Sequence, residues 1–287
     1  MAMARSGASS GLIQSDDAAP AIELRQVTKT FATPGGGTYT ALRNLDLTVE
    51  SGEFCAVVGP TGCGKSTTLT LVSGLERATG GDVRVYGHAV ERIGSDIGFV
   101  FQNDAVFPWK NVLDNVSAGP RFRGKARAEV RAEARDWLRR VGLSGFEDRY
   151  PHQLSGGMRK RVALAQSLIN EPRILLMDEP FSALDVQTRS IMANELLSLW
   201  DLTRPAVVFV THDLEEAIAL ADKVVVLTAG PATVKATFKV DLPRPRVVQE
   251  IRFDQRFVEL YQQIWAALRD EVEIAYARTT ASIEEAS

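Results

Sequence analysis

Gly59-Pro60-Thr61-Gly62-Cys63-Gly64-Lys65-Ser66 matches the Gly-x-x-x-x-Gly-Lys-Ser/Thr pattern of a phosphate-binding loop. Its setting supports the match. EFCAVVG, residues 53–59, is a nearly unbroken apolar run suited to a strand buried on both faces, and TTLTLVSGLE after Ser66 is helix-compatible. Glycines let the backbone close around a polyphosphate, so that successive N–H groups and the start of the helix face the anion. Lys65 is expected to reach the β- and γ-phosphates, and the Ser66 hydroxyl to hold Mg2+. The expected nucleotide-contacting set runs through Gly59, Pro60, Thr61, Gly62, Cys63, Gly64, Lys65, Ser66 and Thr67.

Outward from this loop the same kind of apolar run recurs. ILLMD at 174–178, AVVFVT at 206–211 and KVVVLT at 223–228 read as buried strands separated by helical patterns at 186–200 and 213–221; DVRVYG at 82–87 and DIGFVF at 96–101 add two more strands. Such alternation predicts an α/β fold with a parallel sheet. Upstream, AIELRQVTKTF (21–31) and ALRNLDLTVE (41–50) flank a Gly-rich turn at 35–37 and predict a small antiparallel β portion. Helices are predicted between Arg123 and Leu143 and from Gly156 to Ile169. A last helix carries Phe257, Leu260, Tyr261, Ile264, Trp265, Leu268 and Val272 on one face; a core-facing stripe is the favoured reading and a dimer contact the alternative.

ILLMDEP supplies carboxylates. Asp178 ends a hydrophobic strand, which predicts its carboxylate at the sheet edge near Mg2+. Glu179 follows within reach of a γ-phosphate, where a water-activating base is required. An Asp-Glu pair alone is a common acidic turn; behind a phosphate loop it points to nucleotide hydrolysis.

Composition narrows the classes. With 45% hydrophobic and 24% charged residues the chain has the balance of a soluble globular protein, and a net charge of −3 gives no global basic field for nucleic acid. Lys and Arg cluster from Arg121 to Arg140, but Glu129, Glu133 and Asp136 alternate with them at ion-pair spacing, which favours a solvated helix face. No run reaches the roughly 18 apolar residues of a spanning helix. The first twenty residues lack the apolar centre of a secretory signal and read as a disordered tail. Cys55 and Cys63 are too few for a disulfide framework and suit a reducing cytoplasm. Cys63 has two readings, a thiol whose pKa is lowered by the loop's backbone donors and a small filler; the second is favoured.

Further segments decide among P-loop ATPases. Leu154-Ser155-Gly156-Gly157-Met158 precedes a predicted helix, and small residues at a helix start make an anion site. This segment resembles the signature of the ATP-binding cassette (ABC) family, in which that helix start, offered by the opposite subunit, grips the γ-phosphate through residues matching Ser155, Gly156 and Gly157. Gln102 in GFVFQND resembles the family's Q-loop glutamine, which senses Mg2+ and the attacking water. Ser182-Ala183-Leu184-Asp185 resembles the D-loop, and His212 in VTHDLEEA resembles the switch histidine at the γ-phosphate. Phe31 lies where the family places an aromatic that stacks on adenine; Tyr39 is the rival, because the Gly-rich insertion blurs the spacing.

The resemblance spans roughly residues 21–245. It is strongest to importer subunits of the nitrate, sulfonate and taurine group, through GPTGCGKST, FPWKNVLDNV, LSGGM, VVVL followed by a Gly-Pro turn, and DLPRPR at 241–246. Lys160 and Gln166 depart from it, standing where Gln and Arg are expected. The implied organisation is a tail at 1–20, a nucleotide-binding domain at 21–245 with a helical subdomain at about 106–165, and a C-terminal helical extension at 246–287. Implied ligands are ATP and Mg2+, the metal held by Ser66, Gln102 and Asp178 and hydrolysis carried by Lys65, Gln102, Glu179 and His212. Implied partners are a second copy, a transmembrane permease and, indirectly, a solute-binding protein, with the chain peripheral on the cytoplasmic face of the inner membrane. A soluble cassette acting on ribosomes or DNA is the rival; one motif set and no long heptad insertion weigh against it. Phe107 and Trp109, beside Pro108, either fill the core or anchor a permease helix.

Overall fold

The computed structural model describes residues 19–103 and 105–286; the expected tail lies outside them up to residue 18. The two N-terminal strands pair as expected: β1 (Ile22–Ala32) runs antiparallel to β2 (Thr38–Val49). β4 (Gly80–Val85) joins the other edge of β1 and carries the short β5 (His88–Ala89), closing a four-stranded sheet in the order β2-β1-β4-β5.

The second sheet has six strands in the order β10-β9-β3-β8-β7-β6. β3 (Phe54–Val58), β6 (Ile97–Val100), β7 (Ile174–Asp178), β8 (Ala206–Val210) and β9 (Lys223–Leu227) are parallel, and β10 (Val234–Lys239) adds antiparallel at the edge. Every residue of β3 and β8 is buried, which is why these runs lack polar alternation: both faces are covered. On one face lies the antiparallel sheet with α1 (Lys65–Ser73); Leu69, Leu71 and Val72 meet Cys55, Val57, Leu176 and Val208. On the other, Phe54, Met177 and Phe209 meet helices, Trp200 packing edge-on to Phe54 with ring centroids 5.6 Å apart.

Between β6 and β7 the chain forms α2 (Val112–Val116), α3 (Ala118–Phe122), α4 (Arg127–Arg140) and α5 (Gly156–Leu168). α4 buries Val130, Ala134, Trp137 and Leu138, and its charges pair outward, Arg139 with Asp136 at 2.6 Å and Arg131 with Asp114 at 2.7 Å. After β7 come α6 (Val186–Thr203) and α7 (Leu214–Leu220), and after β10 come α8 (Val248–Ile251) and the 32-residue α9 (Gln255–Ala286). The stripe expected on α9 divides. Phe257, Ile264 and Leu268 are buried, whereas Tyr261, Trp265 and Val272 are exposed, because one apolar arc is wider than the groove that receives it. Among the described residues no helix is long and apolar enough to cross a membrane.

Candidate nucleotide-hydrolysing site

The sheet order decides which motifs meet. β3, β8, β7 and β6 are consecutive parallel strands, so their carboxyl ends lie along one edge, about 4.8 Å per step. The phosphate loop follows β3, His212 follows β8, Asp178 and Glu179 end β7, and Gln102 follows β6. Ligands of open α/β sheets bind at this edge.

Gly64 sits at φ 123°, and a Cβ there would stand 2.7 Å from Leu42 Cδ2, so only glycine lets the loop turn into α1. The buried Lys65 ammonium donates to the carbonyls of Gly59 and Pro60, both at 2.9 Å, which curls it over the loop. Ser66 Oγ donates to Asp178 Oδ1 at 3.0 Å, tying the loop to β7. Burial raises the Asp178 carboxyl above its usual range; the Ser66 hydrogen bond opposes this and the neighbouring Glu179 charge adds to it.

Glu179 occupies the left-handed region at φ 44°, a strained setting for a non-glycine residue. The strain has identifiable restraints. Glu179 N donates to Val210 O at 2.9 Å, and its carbonyl accepts from Ser182 N at 3.2 Å and Ser182 Oγ at 3.0 Å. The turn directs the side chain to His212, whose Nδ1 lies 3.0 Å from Glu179 Oε2.

A chain of polar contacts backs the histidine. Thr211 Oγ1 donates to the buried Glu216 at 2.7 Å, and Asp213 caps α7 by accepting from Glu215 N at 2.8 Å. Arg189 joins this segment to the preceding loop: it contacts Asp213 at 2.9 Å and Glu216 at 3.4 Å and donates to Leu184 O at 3.1 Å. Burial pushes the Glu216 carboxyl up to about 7, against the Thr211 hydrogen bond. Sequence reading did not single out Arg189 or Glu216, because on a helix face they look like ordinary surface charges.

The remaining candidates fall at two places. Ser155 caps α5, accepting from Met158 N at 3.3 Å, and Gly157 lies against Thr188 of α6, where a Cβ would be 3.2 Å from its methyl. No hydrogen bond among the described residues joins this helix start to the phosphate loop of the same chain. The Gln102 side chain is exposed, and its carbonyl accepts from the buried Lys160 Nζ at 2.5 Å. Lys160, a departure from the family pattern, thus ties α5 to the Gln102 segment through the backbone.

Phe31 is half-buried opposite Tyr39 across the β1–β2 pair, with Lys29 Nζ 4.6 Å above its ring. Tyr39 is exposed and its hydroxyl donates to Gly62 O at 3.2 Å, which places the rival aromatic on the phosphate loop itself. For Cys63 the structure overturns the lowered-pKa reading. The thiol is buried, and desolvation raises its pKa although Lys65 and backbone donors pull the other way. Trp109 is 72% exposed, with Phe107 half-buried beside it at 5.7 Å between ring centroids, so the indole does not fill the core.

Two hard oxygen groups 3.0 Å apart, a serine hydroxyl and a part-buried carboxylate with an acidic neighbour, fit Mg2+, which keeps water and phosphate oxygens in most of its coordination positions.

The profile of the family described as ABC transporter matches residues 42–182. An uncharacterized ABC transporter ATP-binding protein of Methanocaldococcus jannaschii is 46% identical over 88% of this chain and 92% of its own length. A nitrate import ATP-binding protein of Synechococcus elongatus is 42% identical over 82% of this chain and 86% of its own. Among solved structures, a dimeric ATP-binding cassette in a post-hydrolysis state with ADP and Pi bound superposes with a TM-score of 0.70 at 33% identity, covering 77% of this chain and all of that one.

Proposed function

Because this chain belongs to the ABC transporter family and is an ABC ATPase, we propose that it energises an importer of a small solute of the nitrate, sulfonate or taurine kind, through a separate permease. The observation that carries the catalytic part is the convergence of Ser66–Asp178 and Glu179–His212, each at 3.0 Å, on one edge of the sheet. Import is supported by the nitrate import relative at 42% identity and by the subgroup motifs around Gln102 and at 241–246.

In this reading the loop amides and Lys65 bind the polyphosphate, Lys65 exchanging its carbonyl partners for phosphate oxygens. Ser66 and Asp178, with Gln102 as the further candidate, would hold Mg2+, which when bound would supply positive charge to the phosphates. Glu179 takes a proton from a water as its oxygen bonds to the γ-phosphorus; the bond to the bridging oxygen breaks and its electron pair leaves with ADP. His212 holds the Glu179 carboxylate in place and faces the γ-phosphate. Phe31 or Tyr39 stacks on the base. Ser155, Gly156 and Gly157 serve the site of a second copy in a two-fold dimer, which gives two equivalent sites at once. The dimeric cassette of similar fold supports that assembly. Such a subunit works peripherally on the cytoplasmic face, with the solute captured by a separate binding protein.

The exposed Trp109, with Phe107, offers an aromatic anchor for a short permease helix. Detergent-solubilised membranes containing the tagged chain test this: a co-purifying permease is expected, with ATP turnover stimulated on reconstitution. Trp109→Ala should keep the folded state and ATP binding while losing most of the co-purification. Undiminished recovery of the permease with Trp109→Ala would sink this docking site, and recovery of ribosomes or DNA in its place would sink the transport reading.

A further inference from the structure

The inward face of α9 changes chemistry along its length. Phe257, Ile264, Glu271 and Arg278 are spaced by seven, nearly two helical turns, and therefore lie on one side. The first two are buried apolar anchors beside α7. The third is a buried carboxylate and the fourth a guanidinium, both directed at the turn between β9 and β10. Glu271 Oε2 accepts from Ala229 N at 2.8 Å, while Oε1 pairs with Lys235 at 2.8 Å. Arg278 donates to Gly230 O. A helix serving only to cover the core would have continued its apolar face; this one grips both a backbone donor and a backbone acceptor of one turn.

That turn lies next to the phosphate loop, the two lining one cavity. A Cβ on Gly230 would lie 3.8 Å from Cys63 O and 3.6 Å from the Tyr39 hydroxyl, and one on Gly59 would lie 3.2 Å from Leu227 Cβ, at the end of β9. Between the turn, Tyr39, the loop residues Thr61–Cys63 and Arg278 lies a cavity of about 520 Å3, so α9 forms part of its wall.

We propose that α9 is a brace for the nucleotide site, with Glu271 and Arg278 acting as positioning residues that hold the 228–233 turn, and through it the phosphate loop, in the shape that binds nucleotide. The proposal rests on the reading that this loop binds ATP. It gives the C-terminal extension a role in ATP affinity separate from its contribution to stability.

The test measures ATP affinity in a Glu179→Gln background, where the ligand is not consumed, and KM and kcat in the otherwise native chain. Glu271→Ala and Arg278→Ala are each expected to raise Kd and KM by about 3- to 10-fold, the scale of coupling through a packed element, with kcat at saturating ATP nearly unchanged. Glu271→Gln, which keeps an oxygen for Ala229 N–H, should recover most of the affinity. Phe257→Ala should lower the melting temperature and leave Kd alone. Arg278 is exposed, so Arg278→Ala keeps the test open if Glu271→Ala does not fold. Unchanged Kd in folded Glu271→Ala and Arg278→Ala, or an equal rise in Phe257→Ala, overturns the brace. If Lys65→Ala binds ATP as well as the native chain does, the loop reading fails and the brace fails with it.

Discussion

His212 Nδ1 stands 3.0 Å from Glu179 Oε2, and the two residues sit at the carboxyl ends of adjacent strands, β8 and β7. The contact depends on backbone strain at Glu179, since φ 44° is what turns its side chain along the sheet edge. If Glu179 is the base proposed above, Glu179→Gln should retain ATP affinity, lose at least about 100-fold in turnover and accumulate an ATP-bound dimer. Single-turnover hydrolysis and size-exclusion with ATP check this. Turnover near the native rate would place the base elsewhere.

Lys160 provides a second test. Its ammonium is buried and donates to Gln102 O at 2.5 Å and Phe101 O at 3.4 Å, so Lys160→Met preserves the stem and leaves those carbonyls without their cation. The expected cost is about 1–3 kcal/mol of stability. The Mg2+ concentration for half-maximal turnover should also rise, because Gln102 is the proposed neighbour of the metal. A Mg2+ titration curve identical to that of the native chain would disconnect Lys160 from the site.

Glu216 makes stability depend on pH in a definite direction. Burial lifts its carboxyl to about 7 from an ordinary 4.5, so the folded chain holds the proton more tightly than the unfolded one. Its stabilisation is therefore complete below about 4.5, declines as pH rises, and is gone above about 7. Glu216→Gln should flatten this decline in urea midpoints measured across that window. An unchanged slope would remove Glu216 as its source.

Cys63 should behave as an inert side chain. It is 2% exposed with its pKa raised, and Cys55, also buried, is pushed up to about 12. Iodoacetamide at pH 8 is expected to leave both thiols of the folded chain unlabelled over an interval that labels both in guanidinium, with or without MgATP. Rapid native labelling at Cys63 that ATP blocks would restore the reactive-thiol reading.

Local chemistry was legible wherever a residue's job depends on its immediate neighbours. The phosphate loop needs glycine where Gly64 turns at φ 123°, and it needs Lys and Ser at the helix start, so it is written as one contiguous string. Strands buried on both faces have no polar alternation, which marks β3, β7, β8 and β9 as unbroken apolar runs. From these follow the α/β class and the candidate residues Gly59–Thr67, Asp178 and Glu179; the Gly-rich turn at 35–37 marks the paired N-terminal strands, and Gln102, Ser155–Gly157 and His212 were legible only through the resemblance to the family.

Tertiary structure alone decided everything that depends on strand order and on which partner a charge finds. Nothing in the local pattern says that β8 lies between β3 and β7, yet that order brings His212 to Glu179 across 33 residues of chain. Lys160, Glu216 and Glu271 sit in helical segments that read as surface, and each is withdrawn from water where a backbone or side-chain group meets it, as Arg189 is in part. Exposure went the other way for Tyr261 and Trp265, apolar on a helix whose groove is narrower than its apolar arc. Periodicity states which face a helix can bury; only the packed partner, with its own width and polar groups, sets how much of that face is buried and what it grips.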